Sequence, residues 1–278
     1  MTRTWLVLDM NYLAWRAFYS TGTLSHGGQS TGVIFGVLRD LLEFKDTHNT
    51  KNFVFCFDYG KLLRERDYPE YKAPRRQKEK ELDPEKLEAI IHLRQQLKLL
   101  RTEVLHDLGF KNVCYAKGYE ADDIIASVCL SSIPIQDEVI IIGSDHDLYQ
   151  LLSPRVMLWN PTTKKAVTED SFSKEYGITP TQFIDVKAIA GCSGDNVIGI
   201  KGIGERTAAK FLAGKLKATS ATFDKIIQGN KVWRQNKCLV RLPYPGCPVF
   251  ELEESWIKKQ AWKEICDRLG MKSLKGEL

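Results

Sequence analysis

Three short, uninterrupted apolar runs mark the first half of the chain: Trp5-Leu-Val-Leu, Phe53-Val-Phe-Cys-Phe and Val139-Ile-Ile-Ile. Such runs predict strands buried on both faces of a mostly parallel sheet, because a half-exposed strand would alternate. Between them, apolar residues recur at helical spacing over 30–46, 84–107 and 120–131. The middle stretch also carries a start signal, with Asp83 placed to cap and Pro84 at the first helical position. Strands alternating with helices predict an α/β fold. An acid follows each run: Asp9, then Asp58, then Asp145 and Asp147 beyond Gly143-Ser144. Open α/β sheets bind ligands at the carboxyl ends of their strands, so these acids are expected to converge there.

Residues 61–81 break the rhythm. Lys61, Arg64, Arg66, Lys72, Arg75, Arg76, Lys78 and Lys80 are interleaved with Tyr68 and Tyr71 and show little apolar periodicity, which predicts an arm or loop over the sheet edge. Beyond about residue 170 the strand signals fade into helical patterns joined by glycine- and proline-rich loops. A core over 1–170 that includes the segment at about 60–100, and a helical region over 171–278, are therefore expected.

Composition narrows the class. A hydrophobic share of 43% and a charged share of 27% fit an ordinary globular chain, and no apolar run nears the ~20 residues of a membrane span. The N-terminus reaches Asp9 too soon for the apolar core of a secretory signal, so an intracellular, cytoplasmic protein is expected, in a host cytoplasm if a bacteriophage encodes it. Seven scattered cysteines without a CxxC pair suit a reducing compartment and offer no zinc-finger spacing. The net charge of +5 is modest, but acids gather in a few short motifs while bases cluster elsewhere.

Those acid motifs carry the chemistry. Gly118-Tyr-Glu-Ala-Asp-Asp places Glu120, Asp122 and Asp123 at a helix start, where the dipole favours negative charge. One acid would serve as a cap; three in four residues exceed that need. Asp145 and Asp147, two apart, point to the same side if their backbone is extended. With Asp9, Asp58 and Asp195 they make eight carboxylates at the ends of buried elements, a set that repels itself unless cations neutralise it. Oxygen donors favour hard ions, Mg²⁺ or Mn²⁺, and two such ions about 4 Å apart are a common device for cleaving phosphodiesters. A metal-dependent nuclease is expected.

Downstream, Gly199-Ile-Lys-Gly-Ile-Gly-Glu-Arg-Thr-Ala-Ala-Lys opens into a helix. Glu205 and Arg206 stand where a GxxxxGK[ST] loop continues with Lys and then Ser or Thr, which excludes an ATP site of that kind. Gly202 and Gly204 either let backbone amides approach a phosphate or form an ordinary helix-helix turn, and Lys201, Arg206 and Lys210 add positive charge.

In order, LDMNYLAWRAF, FCFDYG, YPEYKAPR, GYEADDI, GSDHDLYQLL and KAIAGCSGDNVIGIKGIGERTA resemble the flap endonuclease or 5′-to-3′ exonuclease family. The likeness is to the polymerase-I-type 5′ nuclease domain and the stand-alone bacteriophage-like form. It implies a PIN-like core, a helical arch over the active site and a helix-hairpin-helix at about 189–212 that grips DNA. It implies that Asp9, Asp58, Glu120, Asp122, Asp123, Asp145, Asp147 and Asp195 hold or orient metals, that Lys72 and Arg75 reach the scissile phosphate, and that Arg16 contacts it or the nearby strand. It also implies that carbonyls of Ile189, Ala190, Ile198 and Ile203 bind K⁺ bridging to a DNA phosphate.

The expected activity is structure-specific cutting of DNA with 5′ ends, flaps or branches in replication or repair. RNA primers on DNA are further substrates, and because the chain ends at Leu278 a separate DNA polymerase is the expected partner. Two rivals stay open: a branched-DNA-binding protein with impaired catalysis, and an RNA-directed nuclease on the same core. Within Gly191-Cys-Ser-Gly-Asp-Asn, Cys192 replaces an acid common in the family while Asp195 keeps the second, so the second metal site is expected to hold Mg²⁺ more weakly. Trp233, Arg234, Trp256 and Trp262, beyond the recognisable motifs, either join the core or touch DNA, and for tryptophans at helical spacing the core is the first expectation.

Overall fold

The computed structural model describes residues 2–278. Its main sheet is built from β1 (Thr4–Asp9), β2 (Asn52–Cys56), β3 (Val113–Cys114), β4 (Glu138–Ile142), β5 (Val156–Asn160) and β6 (Lys165–Val167). The strand order is β3-β2-β1-β4-β5-β6, parallel throughout except where β6 turns back along β5. β1 is central, with Val7 between Val54 and Ile141 and Leu8 between Phe55 and Ile142. Leu6, Val7 and Leu8 are wholly buried, which is why their run does not alternate. The order of strands reverses between β1 and β4, leaving a crevice at their carboxyl ends.

The helices before β3 are α1 (Met10–Thr21), α2 (Gly32–Thr47), α3 (Leu63–Asp67), α4 (Ala73–Lys80) and α5 (Pro84–Leu99). α5 runs on through a π turn at Leu100–Val104 to Asp107. α6 (Ala121–Ser127) precedes β4, and α7 (Glu169–Tyr176), α8 (Phe183–Ala190), α9 (Glu205–Leu212), α10 (Ala221–Gln228), α11 (Asn230–Val240) and α12 (Lys259–Arg268) follow the sheet. None is long and apolar enough to cross a membrane, among the described residues.

The alternation of β1 sorts the core into two faces. Leu6 and Leu8 join α1, α2 and α12, and α1 meets α2 closely at Gly36, where a Cβ would come within 2.6 Å of the Ala17 Cβ. Val7 joins Ile124 and Ile125 of α6 together with Phe172, Phe183, Val186, Ala208 and Ile226, so residues on either side of position 170 share one hydrophobic core. Trp262 of α12 is fully buried on the α1 side, and its Nε1 donates to the Leu274 carbonyl at 2.7 Å. Truncating such a side chain to alanine costs about 3–5 kcal/mol. Half-buried Trp233 packs against the core and donates its indole N–H to Asp185 at 2.8 Å, whereas Trp256 differs from the expectation and is 62% exposed.

Two local expectations are corrected. The basic segment 61–81 carries α3 and α4 rather than a bare loop; α4 reads APRRQKEK and has no apolar stripe to betray it. Asp145 and Asp147 do not share one extended run: Asp145 keeps extended backbone and caps the 3-10 turn His146–Leu151, while Asp147 lies inside that turn and its N–H donates to the Asp145 carboxylate at 2.8 Å.

Candidate active site

Four acids gather at the carboxyl edge of the sheet. Asp9 ends β1 and caps α1, accepting from the Tyr12 N–H at 2.9 Å. Asp58, just past β2, accepts from the Ala121 N–H and from Asn11 Nδ2, each at 2.6 Å, and so ties three element ends together. Burial pushes Asp9 up to about 7, and the negative charges of Asp58 and Asp145 add to the rise. Asp58 keeps an exposed edge, yet the protein around it excludes enough solvent to raise it to about 6, with Glu120 contributing. Asp122 is held well above the usual carboxylate range by burial, then by Asp145, Asp9 and Glu120. Asp9, Asp58, Asp122 and Asp145 thus repel one another in a site whose donors are all oxygen. That donor set and its unrelieved charge fit a hard divalent cation.

Glu120 and Asp123 face another way. Asp123 is wholly buried, and Arg64 of α3 clamps it with Nη1 to Oδ2 at 2.5 Å and Nη2 to Oδ1 at 2.8 Å. The Tyr244 N–H also donates to Asp123 Oδ1 at 2.7 Å, so this acid, expected with the metals, is instead engaged in a buried ion pair. Glu120 accepts from the Tyr71 hydroxyl at 2.8 Å and from Arg64 Nη1 at 3.1 Å, and is ion-paired with Lys72. Burial would raise its pKa, but Lys72 and Arg64 outweigh that and hold it below its ordinary value.

The base of the arch is pinned to a third group. Asp195 lies in the turn Ser193–Asp195 between the paired strands Gly191–Cys192 and Val197–Ile198. The Lys72 N–H donates to the Asp195 carbonyl at 2.9 Å, Arg75 Nε to the Gly194 carbonyl at 2.8 Å, and Asn196 Nδ2 to the Glu70 carbonyl at 2.8 Å. Lys72 has φ +53°, a left-handed conformation that costs a non-glycine residue roughly 1–2 kcal/mol and that these bonds hold in place. Its ammonium lies 3.6 Å from Asp195, and Arg75 Nη2 lies 2.9 Å from the same oxygen. Cys192 stands beside Asp195 and Asp147, its thiol pushed up to about 11 by burial and then by those two acids. Asp147 is raised to about 6, by burial first, although Lys187 Nζ sits 2.8 Å away.

Arg16 is not among the cations paired with these acids. It is ion-paired with the buried Asp40 of α2, which Arg39 also approaches at 3.3 Å. The hairpin expected over 189–212 is present: the Ile200 N–H donates to the Ile189 carbonyl at 2.8 Å, and Asn236 Nδ2 donates to the Ile198 carbonyl at 2.9 Å. Gly199 lies so close to Ala190 that a Cβ there would meet its carbonyl oxygen at 2.1 Å. Ile203 is buried just before α9, and Gly204 is the residue preceding that helix. Gly202, at φ +77°, turns the chain, while Lys201 and Arg206 stand exposed around the helix start and Lys210 stands exposed in its last turn.

A family model described as the 5′-3′ exonuclease N-terminal resolvase-like domain matches residues 4–177. The chain belongs to the 5′-to-3′ exonuclease family. It is 32% identical over 217 residues to a 5′-3′ exonuclease of Bacillus subtilis, covering 74% of this chain and 69% of that protein. It is also 32% identical over 225 residues to the thermostable DNA polymerase I of Thermus thermophilus, covering 80% of this chain and 25% of the polymerase. The chain therefore spans about a quarter of the polymerase relatives it matches. The fold is that of the bacteriophage T5 flap endonuclease solved with DNA and metal ions, with a TM-score of 0.72, 20% identity and coverage of 99% of this chain and 98% of the other.

In this family member several site residues carried no readable sequence signal. Arg64 looked like one more base in a basic run, and its partner Asp123 is 59 positions away. Lys187 does carry a signal: a lone cation inside the apolar helix FIDVKAIA needs a buried partner, and it finds Asp147 at 2.8 Å and Glu205 at 3.2 Å. Asn236, which secures the hairpin, had none.

Proposed function

We propose that the chain is a divalent-metal-dependent phosphodiesterase acting on DNA with 5′ ends, flaps or branches, as a 5′-to-3′ exonuclease and flap endonuclease. One observation carries this reading: mutually repelling carboxylates at the carboxyl edge of the sheet lie beside an arch base that presents Lys72 and Arg75. Asp9, Asp58, Asp122 and Asp145 would hold Mg²⁺ or Mn²⁺, which when bound supply Lewis-acid stabilisation and lower the pKa of water. Lys72 stays charged because Glu120 and Asp195 outweigh the burial that opposes its charge. It can shift from carboxylate to phosphate as substrate enters, and exposed Arg75 can do the same.

Duplex DNA would lie along the hairpin, where Lys201, Arg206, Lys210 and the amides after Gly202 and Gly204 meet its backbone without reading bases. Carbonyls of Ile189, Ala190, Ile198 and Ile203 would bind K⁺ there. An RNA primer on DNA and a separate polymerase fit the same surface and role. The test is a 5′-labelled flap duplex incubated with Mg²⁺, with Mn²⁺ and with chelator. Metal-dependent release of the flap supports the reading; binding of the branched duplex with no cleavage under any metal overturns it in favour of a branched-DNA-binding protein.

A further inference from the structure

Asp147, Cys192 and Asp195 form a group of a different kind from the oxygen-only acids at the sheet edge. Among the described residues, theirs are the ligand atoms, two carboxylate oxygens and one sulfur, that all lie within 4.8 Å of one another. They come from two pieces of chain: the turn His146–Leu151, and the continuous segment formed by the strand Gly191–Cys192, with Cys192 opposite Val197, and the turn Ser193–Asp195. The Oδ1 atoms of Asp147 and Asp195 are buried and accept no well-aligned hydrogen bond, although Lys187 Nζ and Arg75 Nη2 approach them to 2.8 and 2.9 Å. Sulfur beside carboxylate is a donor set that Mg²⁺ uses poorly and that Zn²⁺, Co²⁺ and Cd²⁺ accept.

We propose that Asp147, Cys192 and Asp195 form a mixed sulfur and oxygen site that takes borderline or soft divalent ions, such as Zn²⁺, Co²⁺ or Cd²⁺, in preference to Mg²⁺. This deepens the nuclease reading and rests on it only for what a bound ion would act upon. On coordination the Cys192 S–H bond breaks, a metal–sulfur bond forms and the proton leaves to solvent, so no oxidant or reductant is needed.

Two measurements on the intact protein test it. Titration with Co²⁺ is expected to produce a near-ultraviolet thiolate-to-cobalt charge-transfer band that excess Mg²⁺ does not remove and that Cys192→Ser abolishes. In the wild-type chain, Zn²⁺ is expected to slow alkylation of Cys192 by iodoacetamide roughly tenfold or more, because a coordinated sulfur is a poor nucleophile, while Mg²⁺ leaves the rate unchanged. Exposed Cys238 is the internal control and should react equally throughout. The double variant Asp147→Asn, Asp195→Asn, checked for native circular dichroism, should lose the protection of Cys192. A band that survives Cys192→Ser, or alkylation of Cys192 that Zn²⁺ does not slow, overturns the proposal. Neither readout needs DNA cleavage: a chain that cuts flaps without the band loses this inference alone, and one with the band that cuts nothing loses the nuclease reading alone.

Discussion

Asp122 and Asp123 are neighbours in sequence and belong to opposite halves of the site. Asp123, with Glu120, looks toward the arch, where Arg64, Lys72 and Tyr71 meet their charge. Asp122, with Asp9, Asp58 and Asp145, looks toward the end of the sheet, where burial and neighbouring negative charge raise the pKa values of Asp9, Asp58 and Asp122. The arch-side acids are balanced by the protein itself and hold α3 and α4 in place. Those on the sheet side are left for something from outside to balance, and that is where the chemistry is placed.

The largest effect is expected on the balanced side. Arg64→Met leaves Asp123 and Glu120 buried without their guanidinium and should lower stability by about 3–5 kcal/mol, read by urea denaturation. On the sheet side, Asp122→Asn should do the reverse in chelator, raising Tm by removing one repelling charge. The same substitution should reduce metal-dependent cleavage on the order of 10²–10³-fold, the scale of losing one group that stabilises transition-state charge. If Asp122→Asn destabilises the chelated protein, the division between the two halves is wrong.

A pH scan sharpens the contrast. Asp9 and Asp58 are raised to about 7 and about 6, so between an unfolded carboxyl's pKa and those values the folded chain binds more protons than the unfolded one. Their contribution to stability is complete below about pH 4 and is lost as pH rises through 6 to 7. In chelator, Asp9→Asn should therefore flatten part of the fall in Tm over that window, and Mg²⁺ should raise Tm more at pH 7 than at pH 5. Glu120, held low, contributes with the opposite sign: its stabilisation is present above the ordinary glutamate pKa and is lost only as pH falls through its depressed value. The smallest effect belongs to Tyr71→Phe, which removes the 2.8 Å bond to the Glu120 carboxylate and should cost about 1.5–3 kcal/mol in chemical denaturation.

The sheet was legible because its signal is local. Leu6 to Leu8, Phe53 to Phe57 and Val139 to Ile142 are continuous apolar runs, and the acids that follow them needed only the rule for strand ends. What stayed hidden depended on partners far along the chain. Arg16, expected at the scissile phosphate or the nearby strand, is ion-paired with Asp40, 24 positions away; Asp123, expected to hold or orient a metal, is ion-paired with Arg64. A charged residue's type reveals that it needs a counter-ion, not which one. α4 escaped notice because no residue in it is buried, leaving no hydrophobic period to read. α12 lies beyond the recognisable motifs; the burial of Trp262 is expected from its type, but which face of the sheet it covers is set by partners such as Leu13 and Leu38, far along the chain.

The most direct test of the central claim is single-turnover cleavage of a 5′-labelled flap duplex by wild type and by Asp122→Asn, each with its DNA affinity measured in Ca²⁺ or chelator. The account predicts that wild type releases the flap only with Mg²⁺ or Mn²⁺, and that Asp122→Asn binds the duplex as tightly but cuts on the order of 10²–10³-fold more slowly. Equal cleavage by the two proteins, or cleavage that chelator does not stop, would contradict it.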